Sequence, residues 1–351
     1  MRQAGRSLPE YREIRGVGSI LEILTDPELS AKITLQPVER HGVDAAVLYS
    51  DIVVPLKAFH VDVDIVQGVG PVVSEPVRTK NDLAKLIDKK SDPDFESLNE
   101  TVSIVSKKAE VPLIGFAGGP FTVACYLVDG RPSKNWSETR KLFITEPELF
   151  GQLLDYLCDI SFESAKKQIQ SGASAIQIFD SWIGSLSRKE YLEIVMPHTA
   201  LLFRRLAKLN VPLIYFGLGT AEILDLMALS GPDVISVDHQ VPLGLAWERI
   251  SKSWENNNVS EFAIDAVSQH LPKAIQGNLN PLNCLVGWKY LEPLALDVLK
   301  EGMALRTGME RESSGNSSAG YIFNLGHGVL PETNPDNLTK IVELIKREGI
   351  Y

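Results

Sequence analysis

Polar side chains follow several short apolar runs of this chain, at the point where each run ends. Asp51 follows VLYS, Asp180 and Ser181 follow IQIF, Asp238 follows ISV, and His327 follows FNLG. Glycine or asparagine occupies the matching place after other runs, at Gly118, Gly119, Gly217, Gly219 and Asn278. Carboxylates and an imidazole can move protons or stabilise a developing positive charge. If the run ends meet, they predict a site for acid–base or electrostatic chemistry.

Each of these residues also has a structural interpretation. Asp180 and Asp238 could equally cap a helix or accept hydrogen bonds from loop amides. For Asp51 the functional interpretation is favoured, because residues 52–55 (IVVP) predict no helix that it would cap. His327 stands between two glycines, so its ring faces either a ligand or a strand end. We assign structural roles to the other histidines, which are His41, His60, His198, His239 and His270.

The opening segment concentrates guanidinium groups, at Arg2, Arg6, Arg12 and Arg15, although the formal net charge of the chain is −10. The planar fork of arginine binds carboxylates and phosphates through two hydrogen bonds. The cluster predicts a substrate with several anionic groups. A helix start with solvated arginines is an equally good explanation from composition alone.

Composition and missing motifs exclude several classes of protein. The pI near 5.2 opposes a nucleic-acid binder, and no apolar run is long enough to span a membrane. The sequence contains no GxSxG, HExxH, P-loop or EF-hand motif. Cys125, Cys158 and Cys284 lie far apart without metal-ligand spacing, so we expect reduced thiols and no metal. We therefore expect a soluble protein without nucleic-acid partners.

The apolar runs predict strands that alternate with helices. Runs such as AIQIF and PLIYF are almost continuously apolar, which is typical of parallel strands covered on both faces. Proline and acidic residues predict helix starts at 26–28 and 146–148. The predicted strands are Val43–Ser50, Pro112–Ala117, Ala175–Phe179, Pro212–Phe216, Val234–Val237, Ala274–Gly277 and Tyr321–Leu325.

This alternation predicts an α/β fold, a (β/α)8 TIM barrel that forms a single domain over residues 1–351. Seven runs are one short of eight, and we expect the first strand to be missing before Met1. The segment 62–78 predicts a surface hairpin, and the polar segment 310–320 predicts a surface excursion. An open doubly wound sheet is the alternative, although no GxGxxG follows the first run.

The residues by themselves lead to an anion-binding barrel enzyme that uses one or more aspartates and a histidine, without metal or nucleotide. The opening MRQAGRSLPEYREIR resembles the signature of the uroporphyrinogen decarboxylase family. The blocks GGPFTVACYLVDG, QIFDSWIGSLSRKEY, QGNLNP and FNLGHGVLPETNP match later family blocks in order and spacing. The resemblance extends over essentially the whole chain.

The resemblance implies decarboxylation of the four acetate side chains of uroporphyrinogen III, giving coproporphyrinogen III without any cofactor. It implies that Asp51 accepts hydrogen bonds from the pyrrole NH groups, and that Arg2 is a candidate proton donor. Tyr126, Ser181 and His327 match positions that bind substrate carboxylates. So do residues of the opening segment, which are Arg2, Gln3, Ala4, Gly5, Arg6 and Arg15. It further implies a cytoplasmic homodimer, or a plastid location if a transit peptide has been lost.

The chain departs from the family pattern after Asp238, where an aromatic residue and a threonine are usual and His239-Gln240 stand instead. An unusual run rich in Trp and Asn follows, up to Asn258. Two rival functions remain open. One is that of the related corrinoid methyltransferases, which hold zinc through His and Cys; the chain has no HxC motif. The other is a non-catalytic paralogue that binds tetrapyrroles or pairs with an active enzyme.

Overall fold

A computed structural model describes residues 7–16, 19–66, 68–88, 93–255, 271–312 and 320–349. These residues form a curled, parallel seven-stranded sheet with helices around it, together with a separate two-stranded hairpin. The strands are β1 (Ala46–Val47), β2 (Val63–Val66), β3 (Gly70–Val73), β4 (Leu113–Gly118), β5 (Ala175–Phe179), β6 (Leu213–Phe216), β7 (Val234–Ser236), β8 (Ala274–Leu279) and β9 (Gly320–Leu325).

Helices precede the first strand, connect the successive strands of the large sheet and follow its last strand. In the described residues they are α1 (Pro9–Arg15), α2 (Ile20–Thr25), α3 (Pro27–His41), α4 (Val54–Ala58), α5 (Lys80–Asp88), α6 (Glu96–Lys108), α7 (Pro120–Asp129), α8 (Ser137–Thr145), α9 (Pro147–Gln170), α10 (Arg188–Glu190), α11 (Met196–Leu206), α12 (Leu224–Leu229), α13 (Leu243–Glu255), α14 (Trp288–Glu312) and α15 (Pro335–Glu348).

The strand order decides between the two predicted architectures. The large sheet runs β1-β4-β5-β6-β7-β8-β9, and every neighbouring pair is parallel. A doubly wound sheet reverses its strand order at a switch point, whereas a barrel adds each new strand on the same side. No reversal occurs along this described sheet, so the barrel-type prediction is confirmed and the doubly wound alternative is wrong.

The first and last strands of the sheet leave a gap between them. Within the described residues, β1 pairs only with β4 and β9 pairs only with β8. A cavity of about 470 Å³ lies in this gap, between β1 and β9 and against helices α3 and α15. The described strands therefore form a curled wall that ends at β1 on one side and at β9 on the other.

Burial explains where strand prediction succeeded. β5 has the predicted bounds, and four of its five residues are buried between the two neighbouring strands and the covering helices. β1 is much shorter than the predicted run 43–50, since only Ala46 and Val47 are in register with β4. β8 extends beyond its predicted end, because Asn278 and Leu279 pair with β9.

The helix starts at 27 and 147 are confirmed. The Asp26 side chain accepts a hydrogen bond from the Leu29 amide at 3.0 Å and so caps α3. The predicted hairpin is confirmed as β2 and β3. The excursion over 310–320 is wrong at its start, because α14 continues through Glu312, where Arg and Glu favour helix. The rest of that segment, 313–319, lies outside the described residues.

Candidate functional site

The carboxyl ends of the parallel strands bring most of the described candidate residues to one edge of the sheet. Asp51 follows β1, Asp180 and Ser181 follow β5, Asp238 follows β7, and His327 follows β9. In barrel folds the loops at this edge form the active site. We call this edge of the described structure the mouth.

Asp51 is half-buried, and its immediate surroundings differ from the prediction. Its Oδ1 accepts a hydrogen bond from the Val53 amide at 3.2 Å, and its carbonyl accepts one from the Val54 amide at 3.1 Å. The expectation that no helix begins here is wrong, because α4 starts at Val54. The turn closed by Asp51 sets its start, and Pro55 fits the first turn of a helix. The side chain therefore stands on a fixed turn at the mouth.

Asp180 is completely enclosed and holds two neighbouring elements together. Its Oδ1 accepts hydrogen bonds from the Thr122 amide at 2.8 Å and the Thr122 hydroxyl at 2.6 Å, and Oδ2 accepts one from the Tyr215 hydroxyl at 3.4 Å. Burial raises the pKa of this carboxyl to about 6, against the opposing effect of these donors. Gly119 is required here, because a Cβ on it would lie 2.2 Å from the Asp180 side chain.

Asp238 also binds backbone amides. It is almost fully buried, and its two oxygens accept hydrogen bonds from the Gly219 amide and, at 2.9 Å, from the Gln240 amide. A structural role is thus confirmed for both residues, since Asp180 accepts the Thr122 amide in the first turn of α7 and Asp238 accepts loop amides. The hydrogen bonds to these two buried carboxylates fix the backbone around the mouth.

An aromatic cluster forms one wall beside Ser181. Tyr126, on α7, is largely buried, and its ring meets Trp136 edge-on at 5.6 Å between centroids. Trp136 in turn packs against Trp182 at 5.0 Å. The Trp182 amide donates to the Thr122 hydroxyl at 3.1 Å. The contacts of Thr122 therefore tie the start of α7, which carries Tyr126, to the turn that carries Ser181.

The opening segment is described only from residue 7, so Arg2, Gln3, Ala4, Gly5 and Arg6 lie outside the described residues. Helix α1 follows directly and carries the half-buried Arg15. The Tyr11 hydroxyl lies 3.3 Å from that of Tyr49, two residues before Asp51. Arg12 donates to the Pro331 carbonyl at 2.6 Å, in the loop after His327. Helix α1 therefore contacts both sides of the gap, near the mouth.

His327 has a neighbour that the sequence did not predict. Its Nδ1 donates to the Gly328 carbonyl at 3.1 Å, and its ring meets the His239 ring at 5.2 Å between centroids and 66° between planes. Gly326 permits this approach, because a Cβ on it would lie 2.4 Å from the His239 amide nitrogen. His239 therefore lies at the mouth and is not merely structural, and its position shortly after the end of β7 is the sequence signal for this.

The other histidines vary in setting. Burial lowers the pKa of His41 to about 4, and its Nδ1 lies 2.8 Å from the Thr339 hydroxyl, which confirms its structural role. His198 pairs with Asp155 at 2.7 Å, as a structural residue would. His60 is exposed, and His270 lies outside the described residues.

The described residues contain neither a metal cluster nor a membrane span. No group of three or more His, Cys, Asp or Glu side chains there is placed to hold a metal ion. The three cysteines are buried, and burial raises the pKa of Cys125 and Cys158 well above their usual range and that of Cys284 to about 11. No described helix is long and apolar enough to cross a membrane. The cavity between β1 and β9 lies apart from Asp51, Tyr126, Ser181 and His327.

Comparison with known proteins identifies the relatives of this chain. Residues 1–348 match the uroporphyrinogen decarboxylase (URO-D) family. The uroporphyrinogen decarboxylase of Streptomyces coelicolor is 45% identical over 346 residues, which cover 98% of this chain and 88% of that protein. That of Nocardia farcinica is 44% identical over 98% of this chain and 90% of its own length. A solved methyltransferase from Methanosarcina mazei shares the fold, with a TM-score of 0.70, 20% identity, and coverage of 95% of this chain and 90% of its own.

Proposed function

The chain belongs to the uroporphyrinogen decarboxylase family, and from this premise we propose that the mouth of its sheet is the active site. Members convert uroporphyrinogen III to coproporphyrinogen III, and this chain is a carboxy-lyase of that kind. The observation that carries the site assignment is the convergence of Asp51, Ser181 and His327 at the carboxyl ends of their strands.

Decarboxylation of a pyrrole acetate requires stabilisation of a transient positive charge. When a pyrrole carbon next to an acetate-bearing carbon takes up a proton, the ring nitrogen becomes cationic. The bond to the carboxyl group then breaks, its electron pair forms an exocyclic double bond that neutralises the cation, and carbon dioxide leaves. A proton added to the new methylene carbon, with loss of the proton from the ring carbon, gives the methyl group of the product. A fixed negative charge near the nitrogen stabilises this state more than the neutral substrate, and so lowers the barrier.

Asp51 is the group that we assign to this charge. It is half-buried at the end of β1, and the Val53 amide holds one of its oxygens in place. A carboxylate on a preformed turn needs little reorganisation when the charge develops. Its position also suits hydrogen bonds from the pyrrole NH groups of a macrocycle that covers the mouth.

The remaining candidates fit the carboxylate side chains of the substrate. We assign Arg2, Arg6 and Arg15 to these anions, together with Gln3, Ala4 and Gly5, since α1, which follows this segment in the sequence, contacts the mouth. Tyr126, Ser181 and His327 would bind further carboxylates at the mouth. Arg2 remains the candidate proton donor, a demanding role for a guanidinium of high pKa.

Assembly and location are part of the proposal. We propose a single barrel domain over residues 1–351 that forms a homodimer in the cytoplasm. The dimer is supported by exposed apolar side chains close together in sequence after β8, which are Leu282, Leu285, Val286, Tyr290 and Leu294. Exposed apolar patches of this kind commonly mark protein interfaces.

A direct assay tests the function. Purified protein is incubated with uroporphyrinogen III under reducing conditions, and the products are separated by chromatography. We expect coproporphyrinogen III, with partly decarboxylated intermediates at early times. Absence of turnover would favour the non-catalytic paralogue. Stoichiometric zinc in the same preparation, with methyl transfer instead of decarboxylation, would favour the methyltransferase alternative.

A further inference from the structure

We propose that His239 is a specificity-determining residue, which donates a hydrogen bond from Nε2 to the substrate carboxylate beside His327. The inference rests on the proposed function, because that function places a carboxylate at His327. Its structural basis is the arrangement of the two imidazoles at the mouth. His239 follows the predicted strand Val234–Val237 by two residues, and His327 follows β9 by two residues.

The two rings come together across the end of the strand between them. The Asn278 side chain, on β8, donates to the Asp238 carbonyl at 2.8 Å and to the Val241 carbonyl at 2.6 Å, which holds the backbone on both sides of His239. The Gly326 amide donates to the Leu279 carbonyl at 2.8 Å, which fixes the approach to His327. Backbone contacts therefore set the position of both imidazoles before a ligand arrives.

The surroundings of the His239 ring determine which nitrogen carries a proton. Its Nδ1 is buried and has no hydrogen-bond partner among the described residues. A buried N–H without an acceptor is rare in proteins, whereas an unpaired acceptor is tolerated more often. Of the two neutral tautomers, the one protonated on Nε2 is therefore favoured. In the imidazolium, too, Nε2 carries a hydrogen, so this atom is a donor in either state.

The Nε2 side of the ring is the open side. His239 is half-buried as a residue, and its Nε2 makes no hydrogen bond to any described residue, yet it is not enclosed as Nδ1 is. The donor therefore faces solvent at the mouth, next to the His327 ring. A carboxylate oxygen is a strong acceptor for such a donor, and the pairing is selective because a side chain that has lost its carboxyl group offers no acceptor.

Two substitutions separate this role from simple packing. His239→Phe keeps an aromatic ring for the edge contact with His327 but removes the N–H. His239→Gln removes the ring but keeps an N–H donor at comparable reach. His198→Phe, on the outer helix α11, is the control for loss of an imidazole away from the mouth.

Each variant is assayed for kcat and KM with uroporphyrinogen, and for binding of uroporphyrin by fluorescence titration. We expect His239→Phe to raise KM and Kd roughly tenfold, as loss of one hydrogen bond to a charged group does. The kcat should stay within about twofold, because the interaction is already made in the ground state. His239→Gln should recover most of the lost affinity, and His198→Phe should bind like the wild type.

Either of two results would overturn the inference: wild-type KM and Kd in His239→Phe, or a loss in His239→Gln as large as that in His239→Phe. The second result would assign the residue to ring packing. Failure of the proposed function is recognised separately, as no turnover by the wild-type protein. In that case the uroporphyrin titration still tests the inference. Weaker uroporphyrin binding in His239→Phe alone would support the hydrogen bond. Equal affinity in all variants, or no binding by the wild type, would overturn it.

Discussion

The carboxylate of Asp180 accepts both the backbone amide and the hydroxyl of Thr122 on a single oxygen, at 2.8 and 2.6 Å. This contact connects the end of β5 to the first turn of α7, and no solvent reaches it. Because burial opposes ionisation, the pKa of Asp180 is raised from its ordinary 3.8 to about 6. The charge state of one enclosed carboxyl group is therefore coupled to the stability of the fold.

The first prediction follows from the sign of this shift. A raised pKa in the folded state means that the native protein binds the proton more tightly than the unfolded chain. The contribution to stability is complete below about pH 4 and is lost as the pH rises through 6. The size is about 3 kcal/mol for a shift of this order. Asp180→Asn should remove this dependence while retaining an acceptor for Thr122.

Urea denaturation of the wild type and of the Asp180→Asn variant between pH 4 and 7 measures the effect. Relative to the variant, the wild type should gain about 2 kcal/mol in free energy of unfolding between the neutral and the acidic end of this range. His41 has the opposite influence, because its lowered pKa of about 4 destabilises the fold as the pH falls. That influence is common to both proteins and cancels in the difference. A pH-independent difference would contradict the assignment.

The second prediction concerns Asp51. Asp51→Asn should preserve the fold and decrease kcat/KM by about 2–4 kcal/mol in transition-state free energy, because the charge that stabilises the cationic pyrrole is removed. Asp44→Asn is the matched control, since Asp44 is exposed just before the other end of the same strand. Steady-state kinetics and a thermal melt are needed for both. Wild-type rates in Asp51→Asn would remove this residue from the mechanism.

The third prediction concerns the opening arginines. Arg2→Lys and Arg6→Lys keep the positive charge but lose the planar fork, so both should raise KM for uroporphyrinogen and reduce turnover. Arg40→Lys is a suitable control, because Arg40 pairs with Glu10 at 2.9 Å in an exposed ion pair, which contributes little to stability. Unchanged kinetics in the Arg2, Arg6 double variant would assign these arginines to a solvated helix start.

The fourth prediction tests the proposed homodimer. Tyr290 and Leu294 are 60% and 41% exposed and lie one turn apart on α14. If this patch is the interface, Tyr290→Glu with Leu294→Glu should shift the protein from dimer to monomer in sedimentation velocity. Ile144→Glu, at a site on α8 that is 68% exposed, should leave the dimer intact. A monomeric wild type, or a dimer that survives the double change, would count against this interface.

Local sequence patterns predicted the bounds of strands better than the contacts between residues far apart in the chain. The bounds of β5 follow from the sequence because a strand covered on both faces needs an unbroken apolar run. The contact between Asp180 and Thr122 joins residues 58 positions apart, and the contact between His239 and His327 crosses the end of β8. Neither appears in any local periodicity, because both arise only when the sheet curls and brings separate strand ends together.

The sequence predicted which residues lie at the mouth as far as strand ends could reveal it. Asp51, Ser181 and His327 lie there as expected, because parallel strands place their carboxyl ends at one edge. The structural roles of Asp180 and Asp238 depended on amide partners, in the first turn of α7 and in the loop after β6, that the sequence left open. The short helix α4 was missed because its start is set by a turn at Asp51 and by Pro55, and not by apolar periodicity.

The last prediction concerns the gap between β1 and β9. In the described residues each of these strands has one hydrogen-bonded neighbour, and the cavity of about 470 Å³ between them is lined by apolar residues such as Val47, Phe323 and Ile341. A parallel strand placed there would pair with the outer edge of β9 and fill the cavity, and an exposed strand edge favours aggregation. We expect a version of the protein extended at its amino end by an apolar strand-forming segment to melt at a higher temperature and to aggregate less. A matched extension of equal length, rich in Gly and Ser, should give neither benefit. Thermal melts and light scattering of the three proteins, measured side by side, decide the matter: equal melting temperatures and equal scattering would show that no additional strand occupies the gap.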